Sequence, residues 1–478
     1  MKKQKTIAFI LLLLLLPCLV LPVSANSAQQ YWMGTDGAGA VITDGDSPIV
    51  VENELLTFDL NEFPSNYYNE KTGFLAYTGK VTAEYTFYNP SDMTVTATLA
   101  FPFGDLPHYS TGGDGVDLNK YGVTVNGEEI EATVRHTPSL FSYSSKRQFD
   151  LEGSLELLSD DYITSGIYSP DTAVTVYYWK VEYNIPSGEK IQNPTIACDI
   201  SKGDGERAIY LPKQGCGHVQ EDGDYRIGVR SGYTSPILYV IGEPLEDLPQ
   251  WRVYKDGGCE DGEELNADIS LYETKSMTLL EFALEKRDED SAVSDVDWYN
   301  SIVFNLLGNT KGEGYPTVSL DTISSLMRWY KYEITLNPGD RLVNTVTAPM
   351  YPSIDLSYVP AVYGYTYLVS PASTWRDFGE LKIVINTPYY LTECSYTGFE
   401  RTEGGYELTI DGLPRDEEGA VRDLTFSLST GENPVPRSKT PSGILKNIVY
   451  FFLFYWPFLL LGLIVLIIII IIFRRKRR

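Results

Sequence analysis

From Ile448 to Phe473 the chain carries no charged side chain, and the next five residues, Arg474, Arg475, Lys476, Arg477 and Arg478, are all basic. An α-helix rises about 1.5 Å per residue, so about 20 apolar residues cross the hydrocarbon core of a bilayer. This run exceeds that length, and its uniform apolarity leaves no polar face to turn to water. Its first part, 450–458, reads YFFLFYWPF. Tyr and Trp prefer the membrane interface, and Pro457 removes a backbone donor and can kink a helix. The run predicts a C-terminal transmembrane helix over 448–473, with 474–478 as a cytoplasmic basic tail. Whatever precedes it must fold without it.

The other end reads MKKQKTIAFILLLLLLPCLVLPVSANS. Lys2, Lys3 and Lys5 form a basic start, Ile7–Val20 is apolar, and Val23-Ser24-Ala25 supplies small residues for cleavage. This pattern predicts a signal peptide over 1–25 and a mature start near Asn26. Cys18 follows Leu16 and Pro17 rather than small residues, so it reads as part of the discarded leader, not as a lipid-modified cysteine. With a leader at one end and a stop-transfer run at the other, the expected localisation is the cell membrane. The protein would be single-pass, with 26–447 extracellular and the C-terminus cytoplasmic.

The formal net charge is −26 even though both ends are basic, so the stretch between them is more acidic still. Binding to phosphate backbones needs clustered Lys and Arg, and no such cluster is present, so no nucleic-acid partner is expected. Tyrosine is abundant, at 35 residues, which favours strands. Four cysteines remain after the leader: Cys198, Cys216, Cys259 and Cys394. In an exported chain they permit two disulfides in any of three connectivities; buried free thiols are the alternative. No N-x-S/T sequon free of proline occurs, in keeping with a bacterial source.

Strand patterns fill the region after the leader. PIVVENELLTFDL (48–60) alternates from Leu56 to Leu60. In AEYTFYNPSDMTVTATLAFPFG (83–104), Tyr85 and Phe87, then Val95, Ala97 and Leu99, alternate with polar residues around Asn89-Pro90-Ser91-Asp92. Proline fixes φ there and Asn and Asp bond locally to backbone, so the pattern reads strand, turn, strand. YGVTVNGEEIEATVRH (121–136) places Asn126-Gly127 between two alternating runs, the strongest short-range hairpin signal.

This succession, a strand into Asn-Pro-Ser-Asp, a return strand ending in Phe101-Pro102-Phe103, then the Asn126-Gly127 hairpin, resembles the vault/inter-alpha-trypsin type of β-sandwich domain. It is also similar to uncharacterised bacterial secreted proteins with the same pattern. The resemblance spans about residues 50–136 and implies a non-enzymatic interaction module. The metal-dependent adhesion domain that often follows in the animal family carries D-x-S-x-S, which this sequence lacks; metal-dependent adhesion is therefore not implied.

Further along, 147–158 places Leu151, Leu155 and Leu158 on one helical face, and strand patterns resume at 173–185, 224–230, 236–242, 251–256 and 276–286. The charged stretch 286–297 predicts a boundary. Residues 298–308 and 319–330 then read as two helices, the second on Ile323, Leu326, Met327 and Tyr330. YKYEITLNPGDRLVNTVTAP (330–349) repeats the earlier logic: Pro349 follows Tyr332 at the same spacing of seventeen as Pro102 follows Tyr85, which raises an internal duplication against chance reuse of turn chemistry. Two strands around a Ser-Pro and Asp-Phe-Gly loop (363–388), a hairpin (398–414), a last strand (422–429) and a Pro/Ser/Gly-rich spacer complete the reading.

The expected fold is mostly β: two or three β-sandwich domains with a few short helices, plus one transmembrane helix. The boundaries are an N-terminal domain over 26–150, a second β-rich domain over 171–286, a helical connector over 287–330, a membrane-proximal domain over 331–429 and a juxtamembrane spacer over 430–447.

Motifs of chemistry are sparse. The three histidines, His108, His136 and His218, form no zinc pattern. Cys216 and His218 are too close in sequence to make a thiol–base pair with an orienting third group. There is no G-x-S-x-G, no Walker loop and no dinucleotide fingerprint. Asp377-Phe378-Gly379 lacks every other kinase element and reads as a turn. The oxygen-rich loops 112–119 and 256–268 depart from the EF-hand order and read as solvated, with weak calcium binding as the alternative. Trp179, Trp251 and Trp375 sit in or beside strands and are expected in cores. No cofactor, metal or catalytic residue is expected. The function this supports is a non-catalytic cell-surface binding or structural role, with an envelope protein or polysaccharide as partner. The alternative is a membrane-tethered hydrolase of envelope polysaccharide, since paired carboxylates leave no sequence signature.

Overall fold

The computed structural model describes residues 31–32, 36–38, 41–42, 47–63, 79–105, 121–138, 151–184, 194–201, 207–212, 214–219, 224–230, 235–255, 263–287, 291–310, 326–440, 470–471 and 473–474. The protein is mostly β, with three α-helices among these residues, Leu151–Leu157, Leu279–Glu285 and Asp295–Thr310. None of them is long and apolar enough to cross a membrane. The expected leader, 1–25, lies outside the described residues, and so does the expected span over 448–473, save for its last few.

The first body is a large β-sandwich. One wall is an eight-stranded sheet in the order Glu400–Arg401, Gly405–Asp411, Phe378–Asn386, Val50–Asp59, Gly79–Tyr88, Arg341–Met350, Gly122–Val125, Glu128–Ile130. Two smaller sheets face it. One runs Val41–Ile42, Val95–Asp105, Leu326–Leu336, Thr133–Pro138; the other runs Tyr31–Trp32, Ser353–Asp355, Val362–Leu368, Leu424–Ser429, Tyr390–Cys394. The inward positions of each strand meet in one core that includes Phe58, Phe87, Phe101, Tyr330, Ile383 and Phe426. Phe58 of the large sheet meets Tyr367 and Phe426 of the facing sheet edge-on, with centroids 5.8 and 5.2 Å away.

Strands from 50–138 and from 326–428 therefore alternate within the same sheets, so the expected N-terminal (26–150) and membrane-proximal (331–429) domains are one folded unit. The reason is long-range pairing that local patterning does not encode. Val50–Asp59 lies parallel to Phe378–Asn386, and Gly79–Tyr88 lies antiparallel to Arg341–Met350. The two Asn-Pro turns make the corners. Each carries the chain from one wall to the other, and the four flanking strands pair across the two segments: 79–88 with 341–350, and 95–105 with 326–336. The turns dock on each other. The Asn89 N–H donates to Asp340 O at 3.1 Å, Gly339 N–H to Asn89 O at 2.9 Å, and the Asn89 side-chain amide to the carbonyls of Met93 and Leu336 at 2.8 and 3.1 Å. Asn89 is fully buried, so these bonds satisfy a group that would otherwise be costly to enclose. At 126–127 the expected hairpin is present: Val125 faces Glu128, and Asn126 and Gly127 take φ of 52° and 82°, the signs of a type I′ turn.

The second body occupies 151–310. A four-stranded sheet (Arg207–Tyr210, Ile237–Gly242, Ala173–Tyr183, Ala267–Thr278) packs on a five-stranded one (Gln214–Val219, Tyr225–Arg230, Thr195–Ile200, Arg252–Tyr254, Glu264–Leu265). Along Ala173–Tyr183 the even positions Val174 and Val176 face the helices Leu279–Glu285 and Asp295–Thr310, while Tyr177 and Trp179 face the other sheet. The layers are thus helices, sheet, sheet. This body interrupts the first between two adjacent strands: Pro138 and Leu326 are cross-strand partners.

Two segments differ from the sequence reading. The strand expected over 276–286 stops at Thr278, whose hydroxyl accepts the Glu281 N–H while the Glu281 carboxylate accepts the Thr278 N–H, a capping box that starts a helix. The helix expected over 319–330 is, from Leu326 on, a central strand. Its two faces are both covered, Tyr330 and Tyr332 by the sandwich core and Met327 and Trp329 by a cluster with Leu158 and Ala100, so its apolar run loses period-two alternation. The start of the expected spacer is also tied down, because Val435–Pro436 pairs with Tyr358–Val359.

Candidate functional site

The outer face of the sheet containing Val362–Leu368 carries a shallow hollow of about 510 Å³. Tyr365 and Phe426 point inward to the core, so the alternate residues Gly364, Thr366, Thr425 and Ser427 point outward. Register places Ser353, Gly364, Ser427 and Glu393 in one row across four strands, with Thr366 opposite Thr425 beside it. Gly364 makes the hollow: a Cβ there would lie 2.6 Å from Ser353 Oγ. The outward-pointing part of the lining is therefore hydroxyl groups, able to donate and accept, and one exposed carboxylate, Glu393.

Among the described residues of that lining the one thiol is Cys394. Burial pushes its thiol up, against smaller opposite pulls from the Tyr396 N–H and Arg422, so it stays protonated at neutral pH. No histidine is among the described residues that line the hollow. His136 is buried at the junction of the two bodies, where burial outweighs the neighbouring Asp297 carboxylate and lowers its pKa to about 4; it is a neutral imidazole. His218 is on a strand of the second body, and His108 lies outside the described residues. Among the described residues no group of three or more His, Cys, Asp or Glu is placed to hold a metal ion.

The cysteines are dispersed. Cys198 is a buried free thiol in the core between the sheets of the second body, and Cys394 is a free thiol in the first. Cys216 faces Gly228 on the strand whose other edge carries Cys198 opposite Ile227, so a full strand separates the two. Cys259 and the loops 112–119 and 256–262 lie outside the described residues. Asp377-Phe378-Gly379 leads into a strand. A Cβ on Gly379 would lie 2.0 Å from the Glu52 carbonyl oxygen, so glycine there serves close backbone approach. Trp179, Trp251 and Trp375 are all buried.

Two buried polar groups escaped the sequence reading. Arg135 and Asp297 join the bodies: Arg135 Nε donates to Asp297 Oδ1 at 2.9 Å, its Nη2 approaches the same oxygen at 2.7 Å, and the His136 N–H donates to Oδ2 at 2.9 Å. Asp297 is fully buried. Inside the sandwich, Glu54 is 2% exposed and lies opposite Tyr85. Burial pushes its carboxyl up to about 7, against the opposite pull of the Tyr85 and Tyr367 hydroxyls. The signal for Glu54 was present, because it shares the parity of Leu56 and Phe58. For Arg135–Asp297 no local signal exists.

No family model and no curated protein matches the chain. Among solved structures, a Legionella pneumophila protein (subsp. pneumophila, strain Philadelphia 1) described provisionally as nutrient binding is similar at 12% identity. The match covers 84% of this chain and 73% of that one, with a TM-score of 0.33.

Proposed function

We propose that the protein is a non-catalytic binding module of the cell envelope, exported by 1–25 and held by a single span over 448–473, with 26–447 outside. The observation that carries the binding role is the row Ser353, Gly364, Ser427, Glu393. It presents hydroxyls and a carboxylate in an open hollow whose one thiol is kept protonated by burial. A surface of hydroxyl donors and acceptors, with neither an ionised thiol nor a histidine base nor a second carboxylate among its described residues, suits recognition of a hydroxyl-rich polymer, an envelope polysaccharide. A glycosidase would need two carboxyl groups roughly 5–9.5 Å apart, and among the described residues Glu393 is the only carboxylate lining the hollow. The resemblance of 50–136 to non-enzymatic vault/inter-alpha-trypsin modules points the same way.

The test is retention of full-length protein in lipid nanodiscs on immobilised envelope polysaccharide. Thr425→Arg, at an exposed outward position, fills the hollow and should abolish retention while leaving melting unchanged. Equal retention of the variant overturns the assignment, and release of reducing ends in the assay replaces it with the hydrolase. Orientation is read in intact cells: Ser438→Cys should react with a membrane-impermeant maleimide, and a cysteine appended after Arg478 should not.

A further inference from the structure

A second hollow, of about 380 Å³, lies at one end of the inserted body, where the strand ends Asp199–Ser201, Asp224 and Arg252 meet Arg207 and the loop 245–250. Arg207 begins an edge strand, opposite Gly242. It is 8% exposed, its Nε finds no acceptor, and among the described residues no carboxylate forms an ion pair with it. Asp199, which lines the same hollow, is held by Arg226 through two bonds, Nε to Oδ1 at 2.8 Å and Nη2 to Oδ2 at 2.7 Å. A guanidinium nitrogen enclosed without an acceptor is costly, and an anionic ligand offsets that cost.

The rest of the lining fixes what kind of anion. Asp224, Glu246 and Asp247 stand around the opening, the last two exposed, against one further cation, the exposed Arg252. A rim with this excess of negative charge repels phosphate and other polyanions, and it favours a ligand that brings its own cation. Ile200, Leu245, Leu248 and Pro249 add apolar wall. Leu248 is a large side chain left 47% exposed. The loop is held in place from below, with the Leu245 N–H donating to Tyr177 Oη at 3.3 Å.

We infer that this hollow binds a small zwitterion of the α-amino-acid class with an apolar side chain. The carboxylate pairs with Arg207, the ammonium group faces the rim carboxylates, and the side chain lies against Leu245 and Leu248. The inference extends the binding role to a site on the other body and does not depend on the polysaccharide hollow. Arg207 variants should leave polysaccharide retention intact, and Thr425→Arg should leave amino-acid binding intact.

Isothermal titration calorimetry of the full-length protein in nanodiscs tests it with L-leucine, 4-methylpentanoate, which lacks the ammonium group, L-leucinamide, which lacks the carboxylate, and inorganic phosphate. L-leucine should bind, and each truncated analogue should bind at least about tenfold more weakly, the scale of one lost charge-assisted hydrogen bond. Arg207→Met should abolish leucine binding. Should that variant misfold, Asp247→Asn, on the exposed rim, decides: it should weaken L-leucine and leave 4-methylpentanoate unchanged. Absence of heat with millimolar L-leucine, tighter binding of phosphate, or wild-type affinity in a folded Arg207→Met protein overturns the assignment.

Discussion

Replacing Glu54 by glutamine should stabilise the protein above neutral pH and do little below pH 5. Glu54 is enclosed by the sandwich core, its partners are the neutral hydroxyls of Tyr85 and Tyr367, and the Tyr367 Oη–Glu54 Oε1 separation is long, at 3.5 Å. In the unfolded chain the carboxyl titrates near its ordinary value of 4.5; in the folded protein it titrates near 7. The folded state therefore holds a proton that the unfolded state has released between these values, and stability falls as pH rises through that window. Below about 4.5 the group costs nothing, and above 7 the cost is complete. At about 1.4 kcal/mol per pH unit, the cost comes to about 3 kcal/mol, a sizeable part of the usual margin of about 5–15 kcal/mol. Glutamine keeps the shape and one acceptor and has no proton to lose. Urea unfolding of the full chain, followed by tryptophan fluorescence at several values between pH 4.5 and 8, should show the wild-type midpoint declining across the series and the Glu54→Gln midpoint declining less. At pH 8 the variant should be the more stable by about 2–3 kcal/mol. Parallel pH profiles for the two proteins would refute the reasoning, because Glu54 would then be ionised in the fold at no cost.

Gly127→Val forces a β-branched residue into φ of 82° in the type I′ turn and should cost about 1–3 kcal/mol, whereas Gly122→Ala, where an added Cβ meets nothing within 4 Å, should melt close to wild type. Arg135→Met leaves the Asp297 carboxylate buried without its main partner and should destabilise by about 3–5 kcal/mol; adding Asp297→Leu should recover part of that loss, and a double variant no better than the single would contradict the pairing. Cys198 and Cys394 should resist alkylation in the native protein and both react after denaturation without reductant, which mass spectrometry would read directly.

What local patterning can encode was legible. The Asn126-Gly127 hairpin, the turn at Asn89-Pro90, the helix near 298–308 and the core tryptophans follow from period, turn chemistry and side-chain size. What depends on partners distant in sequence was not. The parallel pairing of Leu55 with Lys382, and the helix-like look of Leu326–Tyr330 in a strand covered on both faces, are decided by tertiary context. The hydroxyl hollow was illegible for a related reason: Ser353, Gly364, Glu393 and Ser427 are ordinary residues until register aligns them. Arg207 likewise carries no motif, and only its enclosure sets it apart.

The insertion between Pro138 and Leu326 has a bearing on biogenesis. As the chain emerges from its N-terminus, the strands at 50–59 and 79–88 can pair with each other, but their outer edges wait for 378–386 and 341–350. Every described strand of the inserted body finds its partner within that body, so it can close while the surrounding walls are still incomplete. Until the last third of the polypeptide arrives, the early strands present unpaired backbone and an uncovered apolar face, the condition in which chains pair wrongly or with one another. A fragment ending before 341 is consequently an aggregation-prone intermediate rather than a domain. Until then the nascent protein depends on whatever shields its strand edges.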